Sequence, residues 1–178
     1  MRARSPNAGF TLVEILIVVA MIGIVAMVTV PMLGSLSPAK VDAAASEVGT
    51  TLRFAVSEAQ RRGSYLLVDA SSPGQLRLHT SDASGAIVAA VNDPVTKTAF
   101  HVDASAAPWG KGITLDAQFQ QGGSAYRQLL ISPSGQLQVL DAGTMRGPLE
   151  PGSGLVVASG NVSAKVKIDE NTGRVTIP

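Results

Sequence analysis

Residues 8–30 read AGFTLVEILIVVAMIGIVAMVTV, and this stretch decides the fold. Phe10 to Val30 supplies 21 residues with a single charge, Glu14. A bilayer core about 30 Å thick needs about 20 helical residues, so the run predicts one membrane-spanning helix. Arg2 and Arg4 precede the run, which predicts a cytoplasmic N-terminus and an exported C-terminal part. An uncleaved signal anchor fits better than a secretory signal peptide, because no small-x-small cleavage pattern follows the run.

Glu14 is the unusual residue of this segment. A carboxylate at the centre of a membrane helix costs about 2.5–3.5 kcal/mol, and less near an interface, so it is normally kept for a partner. No cation follows it within helical reach, since the next charged residue is Lys40. The partner of Glu14 must therefore be a free amine, another chain or lipid head groups.

Ala8-Gly9-Phe10-Thr11-Leu12-Val13-Glu14 resembles the type IV prepilin (class III) signal, which has a short basic leader before Gly-Phe-Thr-Leu-x-Glu and a long apolar run. The resemblance implies that a membrane prepilin peptidase cleaves between Gly9 and Phe10 and methylates the new terminus at Phe10. It also implies that the apolar run is retained, as membrane anchor and as the core of a polymer. Glu14 would then neutralise the amine of Phe10, on its own or a neighbouring subunit. Loss of Arg2 and Arg4 changes the net charge from +1 to −1.

A second helix is predicted after a joint at residues 31–38. Pro31 should kink or end the first helix, and Ser37 could cap the next one with Pro38 at its first position. Helix-period apolar residues then form one face, and Gly63 is a plausible end. That face comprises Val41, Ala45, Val48, Leu52, Ala55 and Ala59, whereas Asp42, Glu47, Arg53, Glu58 and Arg61 fall largely elsewhere.

From residue 64 the apolar period changes to two, which predicts strands. Turn signals at 72–74, 132–135 and 170–173 separate several of them, and the last two predict hairpins. The predicted fold class is therefore α+β, a long hydrophobic helix continuing into an amphipathic helix that packs on antiparallel β-sheets. The strands are predicted at 64–69, 75–80, 86–91, 98–102, 113–119, 127–132, 136–140, 154–159, 163–169 and 173–177.

Two hairpins resemble those of the GspH/FimT family of minor pseudopilins, at residues 129–135 and 168–175. The resemblance implies two β-sheets packed on the C-terminal half of the long helix. The resulting organisation is a leader at 1–9, a transmembrane and assembly helix at 10–33, an amphipathic helix at 34–62 and a β-rich domain at 63–178.

Other chemistries have weak signals. The chain lacks cysteine, and it has no G-x-S-x-G elbow, P-loop or G-x-G-x-x-G, so we expect no enzyme, no cofactor and no metal centre. His79 and His101 fall in predicted strands. Asp169, Glu170 and Asn171 could hold a cation, although a polar hairpin tip is the simpler interpretation. DNA binding through Lys165, Lys167 and Arg174 stays open but is not favoured.

The resemblances imply a structural role in a fibre. The first interpretation is a minor pseudopilin of the type II secretion system, at or near the pseudopilus tip, which aids export of folded proteins across the outer membrane. The alternative is a minor pilin of a type IV pilus or a DNA-uptake pilus. Both imply a single-pass inner-membrane protein with a periplasmic domain. The implied partners are other pilins or pseudopilins and the prepilin peptidase.

Overall fold

The computed structural model describes residues 11–34, 36–104, 106 and 112–177, and it describes no side chains at 26–34 or 36–37. The chain forms two compact units, Met1–Leu36 and Ser37–Pro178. Its fold class is α+β, as the sequence predicted: helices precede antiparallel sheets, and the second helix packs on them.

The first helix, α1, spans Leu12–Gly34. It continues through Pro31, so of the two predicted effects of this proline, a kink or an end of the helix, the end does not occur. Proline removes one intrahelical hydrogen bond, a local loss that allows the neighbouring residues to remain helical. Among the residues with described side chains, which in α1 end at Val25, no helix is long and apolar enough to cross a membrane.

The second helix, α2, spans Leu36–Arg62. Because it begins at Leu36, Ser37 lies inside its first turn, and the predicted cap at Ser37 is wrong. Pro38 is tolerated there because the first four N–H groups of a helix have no intrahelical acceptor. At the other end Gly63 has a φ of +63°, and its N–H donates to Gln60 O at 3.3 Å. Ser64 N donates to Ala59 O at 3.2 Å, which completes a Schellman motif.

The described strands form two antiparallel sheets. The first sheet has the order β3-β2-β1-β7-β8-β9, with β4 also paired to β2, and the second has the order β12-β11-β10-β5-β6. The strand bounds are β1 Tyr65–Asp69, β2 Gln75–Ser81, β3 Ile87–Ala90, β4 His101–Asp103, β5 Thr114–Gln121, β6 Ser124–Tyr126, β7 Gln128–Ile131, β8 Leu137–Asp141, β9 Thr144–Pro148, β10 Gly154–Ser159, β11 Val162–Ile168 and β12 Val175–Thr176.

The core lies where one face of α2 meets alternate residues of both sheets. The predicted apolar stripe of α2 is fully buried there, from Val41 to Ala59. Strand β2 shows the period of two that puts Leu76 and Leu78 in this core while Arg77 between them stays exposed. These contacts fix the sheets on α2, and they place the strand ends and hairpins at the surface.

A smaller apolar cluster is formed by Leu67, Leu130 and Leu140. Leu67 and Leu130 are directly opposite each other on β1 and β7. Gly85, in the turn after β2, lies so close to Leu140 that an added Cβ would be 2.0 Å from Leu140 Cδ2. The turn between β2 and β3 therefore contributes to the burial of Leu140.

Strands β6 and β9 are absent from the sequence prediction. β6 has three residues, none of them buried, and it follows Gly122 and Gly123. β9 reads TMRGP, in which glycine and proline are normally evidence against a strand. Both lie at sheet ends, where such residues are tolerated, and pairing with β5 and β8 holds them in place.

Candidate assembly segment

The start of α1 contains an N-terminal cap that also positions Glu14. Glu14 N donates to Thr11 O at 3.1 Å and is 3.2 Å from Thr11 Oγ1, and Ile15 N donates to Thr11 O at 3.2 Å. Thr11 is thus the N-cap residue, and Glu14 occupies the third helical position, at the Thr-x-x-Glu spacing typical of a capping box. The carboxylate lies near the positive end of the helix dipole, where an acid is stabilised by about 0.3–1 kcal/mol. The Thr-x-x-Glu spacing is visible in the sequence, but the interpretation of Glu14 from the sequence rests on its charge and not on this spacing.

The described side chains of α1 expose apolar surface on all sides. From Leu12 to Val25 the large apolar side chains range from 50% exposed at Ile17 to 81% exposed at Leu12. An amphipathic helix would instead bury one stripe against its own domain. An exposed apolar surface of this extent marks a site of contact with other proteins or with lipid.

The predicted processing residues are not all visible. Gly9 and Phe10 lie outside the described residues, so cleavage and methylation there stay predictions. Glu14 is described, and its side chain is exposed within the apolar surface of α1. An exposed carboxylate near the start of this helix is available to a cation on another chain.

The two histidines lie close to one cavity in the first sheet. His79 on β2 and His101 on β4 line a cavity of about 360 Å³. The Nδ1 atom of His101 shares a hydrogen bond with the carbonyl of Ala99 at 3.0 Å, and Asp103 Oδ2 accepts from Gln75 Nε2 at 3.2 Å. These bonds hold His101 and Asp103 of β4 to neighbouring protein groups.

The predicted cation candidate at residues 169–171 forms a tight turn. Asp169 Oδ1 accepts from Asn171 N at 3.1 Å, from Thr172 N at 2.8 Å and from Thr172 Oγ1 at 2.7 Å. The Thr172 hydroxyl and these backbone donors lower the pKa of Asp169 below its usual value. Within the described part of the chain, no three His, Cys, Asp or Glu side chains are grouped as metal ligands. The observed bonds support the hairpin-tip interpretation.

The basic residues considered for DNA binding have neighbours that weaken that interpretation. Lys165 Nζ donates to Gln118 Oε1 at 3.0 Å. Lys167 and Arg174 line one cavity of about 300 Å³ together with Asp169 and Glu170. The two carboxylates offset the two cations, whereas phosphate binding relies on uncompensated positive charge.

Glu58 is a buried acid that the sequence placed away from the apolar face, and the structure corrects this. Glu58 is 5% exposed, and its carboxylate accepts from Arg61 Nε and from Arg61 Nη2, both at 2.7 Å. Arg62 Nε also donates to Glu58 Oε1. The hydrogen bond from Arg61 contributes most to lowering the pKa of Glu58 to about 2, and Arg62 adds to it. The two arginines follow at helical spacing, which was the signal in the sequence.

Comparison with known proteins agrees with the geometry. Residues 4–30 match the family model described as the prokaryotic N-terminal methylation motif. No curated protein sequence shows significant similarity to this chain. The fold is similar to that of the minor pseudopilin EpsH from the type 2 secretion system of Vibrio cholerae, with 15% identity, a TM-score of 0.51, and 78% of this chain and 96% of that chain covered. It is also similar to the type IV minor pilin FimU of Pseudomonas aeruginosa PAO1, with 17% identity, a TM-score of 0.50, and coverages of 79% and 90%.

These findings establish different things. The motif covers the N-terminal segment, and the structural similarities at these identities establish the fold alone. The chain therefore has a pilin-like fold preceded by an N-terminal methylation motif.

Proposed function

We propose that the chain is a minor pseudopilin of a type II secretion system, a non-catalytic subunit at or near the tip of the periplasmic pseudopilus. The observation that carries the proposal is the methylation motif at residues 4–30, which includes the exposed apolar surface of α1 from Leu12 to Val25. A soluble monomeric enzyme rarely exposes an apolar surface of this size, whereas a fibre subunit buries it against the helices of its neighbours. The similarity in fold to EpsH supports the secretion assignment.

The proposed processing follows the residues of the motif. A prepilin peptidase cleaves between Gly9 and Phe10 and methylates Phe10, and the retained helix anchors the chain in the inner membrane with its C-terminal domain in the periplasm. Glu14 then pairs with the amine of Phe10, on its own or an adjoining subunit. Such a desolvated pair adds little net stability. Loss of one member leaves the other as an unpaired buried charge, so the pair fixes the register of assembly.

The second candidate is a minor pilin of a type IV pilus or DNA-uptake pilus. It is supported by the similarity in fold to FimU, which is as close as the similarity to EpsH. Both candidates share the same processing and the same partners, namely other pilin-like subunits. The neighbouring genes distinguish the two candidate functions, because secretion operons and pilus operons differ.

Deletion of the gene tests the proposed function directly. We expect the deletion to stop release of folded proteins into the medium while surface pili persist, and the full-length chain to restore release. Loss of surface pili with normal release of proteins would instead establish the second candidate. His79→Ala combined with His101→Ala should complement as well as the wild type, because the proposed role needs no imidazole.

A further inference from the structure

Strand β3 is an exposed edge of the first sheet. It occupies one end of the strand order and, within the described residues, pairs with β2 on one side. All four of its residues are exposed, with Ile87 at 54% and Val88 at 70%. An edge strand of this kind presents unpaired N–H and C=O groups that can accept another strand.

Two other sheet ends carry protection that β3 lacks. Arg53 from α2 donates to Val175 O at 3.2 Å and so covers the end at β12. Strand β9 carries Arg146 and Pro148. Charge and proline are usual devices that prevent strand addition, and residues 83–92 contain neither. Strand β3 is itself short, with four residues, and has a register shift opposite Thr80 and Ser81.

Some backbone N–H and C=O groups of β3 point away from β2, toward the edge of the sheet. Val91 N donates to Leu78 O at 3.0 Å, and Ala90 is directly opposite His79 in the register. Because alternate residues of an antiparallel strand point their N–H and C=O groups to opposite sides, those of Ala90 point away from β2. A strand that runs antiparallel beside β3 would satisfy them.

A cavity lies at the C-terminal end of β3. It has a volume of about 360 Å³, and its lining combines Ala90, Ala99 and Phe100 with polar residues that include Arg77, His79 and His101. The Phe100 ring stacks on Phe54 with 5.1 Å between ring centroids, so this wall is held by the core. The apolar side of the cavity can take one apolar side chain from a strand that runs along β3.

A negative charge lies at the opposite end of β3. Asp82 Oδ1 accepts from Ser84 N at 2.8 Å, from Ser84 Oγ at 2.6 Å and from Ala86 N at 3.0 Å. The Ser84 hydroxyl contributes most to lowering the pKa of Asp82, so the exposed carboxylate stays ionised at neutral pH. The Asp82 side chain is exposed, so its negative charge is accessible to a cation on a partner.

We propose that β3 is a docking edge for an extended, uncharged segment of a partner protein that adds to the sheet as an antiparallel strand. One apolar side chain of the segment fills the cavity beside Ala90. A lysine or arginine follows the uncharged residues and lies near Asp82, because an antiparallel strand ends beside the start of β3. Main-chain bonds supply affinity, while the cavity and the charge select the partner. The proposal goes beyond fibre assembly through α1 and does not depend on it.

Synthetic peptides test the proposal on the full-length protein in mild detergent. The probes are N-acetylated pentapeptides with four uncharged β-forming residues and a final lysine, each labelled with a fluorophore at the C-terminus. The controls carry glutamate in place of lysine, or proline at the second position. Binding is measured by fluorescence anisotropy, and hydrogen–deuterium exchange with mass spectrometry locates the site.

We expect the lysine peptides to slow amide exchange at residues 87–90 by about fivefold, while β6 and β9 are unaffected. Val88→Lys should weaken affinity by about tenfold or more, since it puts a charge on the docking strand. The matched control is Val95→Lys, at a residue 85% exposed but outside the strand, and it should leave affinity within about twofold. Asp82→Asn keeps the turn acceptor and should weaken only the lysine peptides, by about threefold.

Three results would overturn the proposal. The first is that no lysine peptide binds, or that protection appears at another strand. The second is that Val88→Lys and Val95→Lys weaken binding equally, which would indicate a non-specific apolar effect. The third is concentration-dependent protection of residues 87–90 without peptide, because the occupant would then be a second copy of this chain.

Discussion

Gly49 of α2 and Ile177 after β12 are in direct contact, such that a Cβ added to Gly49 would lie 2.6 Å from Ile177 Cδ1 and 2.8 Å from Cγ1. Glycine inside a helix costs about 0.5–1 kcal/mol relative to alanine. The contact explains why the cost is accepted here. The absent side chain lets the end of the second sheet approach the helix, beside the point where Arg53 bonds to Val175 O.

Enlarging Gly49 should therefore destabilise the domain. We expect Gly49→Leu to lower the free energy of unfolding by about 1–3 kcal/mol, because the new side chain displaces Ile177 from the helix. Urea unfolding of the full-length protein in mild detergent, followed by far-UV circular dichroism, measures the change. Ile177→Ala in the same chain should recover part of the loss, as a double-mutant cycle requires for residues in contact. Fully additive effects would contradict the contact.

Pairing of Glu58 with Arg61 and Arg62 should make stability depend on acid pH. Its pKa is about 2 when folded, below the ordinary value of 4.5, so the unfolded chain binds the proton more readily. The stabilisation is therefore fully present above about pH 5 and is lost as the pH falls through 2, with a magnitude of about 1–3 kcal/mol. Urea unfolding at several pH values between 6 and 2 measures this slope.

The matched variants for this prediction are on the same helix. Glu58→Gln should flatten the acid slope, whereas Glu47→Gln should leave it unchanged because Glu47 is exposed. An equal slope in the wild type and in Glu58→Gln would assign the acid sensitivity to other carboxylates.

The period of apolar residues predicted most of the fold. The stripe on α2 is buried as expected, and both predicted hairpins form, at Ser132–Gly135 and at Asp169–Gly173. These features are local, because a helix face or a turn is specified by residues only a few positions apart. Strands β6 and β9 each pair in a hairpin with the strand just before them, β6 across Gly122-Gly123 and β9 across Ala142-Gly143, and their own sequences carry no strand signal.

The candidate site was predictable only in part. The apolar run and Glu14 are visible in the sequence, and the exposed surface of α1 agrees with them. The sequence pattern does not predict burial of Glu58, because a charged residue normally indicates exposure, although Arg61 and Arg62 follow at the helical spacing that allows ion pairs. The open edge at β3 was also hidden, since the order of strands in a sheet follows from long-range packing.

Processing should produce a mature chain that starts at Phe10 and carries one methyl group. The expectation rests on the Gly9–Phe10 junction within the matched motif. N-terminal sequencing and intact mass of protein extracted from membranes measure it. A mature form that keeps Arg2, or one that starts beyond Pro31, would contradict the prepilin interpretation.

Residues 40–178 should fold alone as a stable, soluble domain. The apolar face of α2 is buried against the sheets, so this part of the chain contains its own core. Full-length protein should need detergent, because α1 exposes apolar side chains on all sides. Cooperative urea unfolding and dispersed amide NMR signals of the truncated protein check the prediction. An aggregated or molten product would show that the N-terminal segment contributes to the core.

Replacing Glu14 should separate membrane insertion from assembly. Glu14→Ala removes the cost of placing an acid in an apolar environment, so the chain should insert normally and be cleaved normally after Gly9. It keeps the hydrogen bonds that the N–H of residue 14 donates to Thr11 and loses only the interaction with the helix dipole, about 0.3–1 kcal/mol. It also leaves the amine of Phe10 without a carboxylate, which should weaken docking into a fibre by about 1–3 kcal/mol if the pair is desolvated.

Co-purification with other pilin-like subunits distinguishes these effects. Glu14→Ala should be recovered from membranes in normal amount and with the mature N-terminus, but with several-fold less partner bound. Glu47→Ala, which removes an exposed acid from α2, is the control and should retain the partners. The exposed position of Glu14 on α1 allows both a structural and an assembly role, and only the assembly role predicts loss of partners from a correctly processed chain. Equal recovery of partners by both variants would contradict the assembly role of Glu14 and would limit its role to the start of α1.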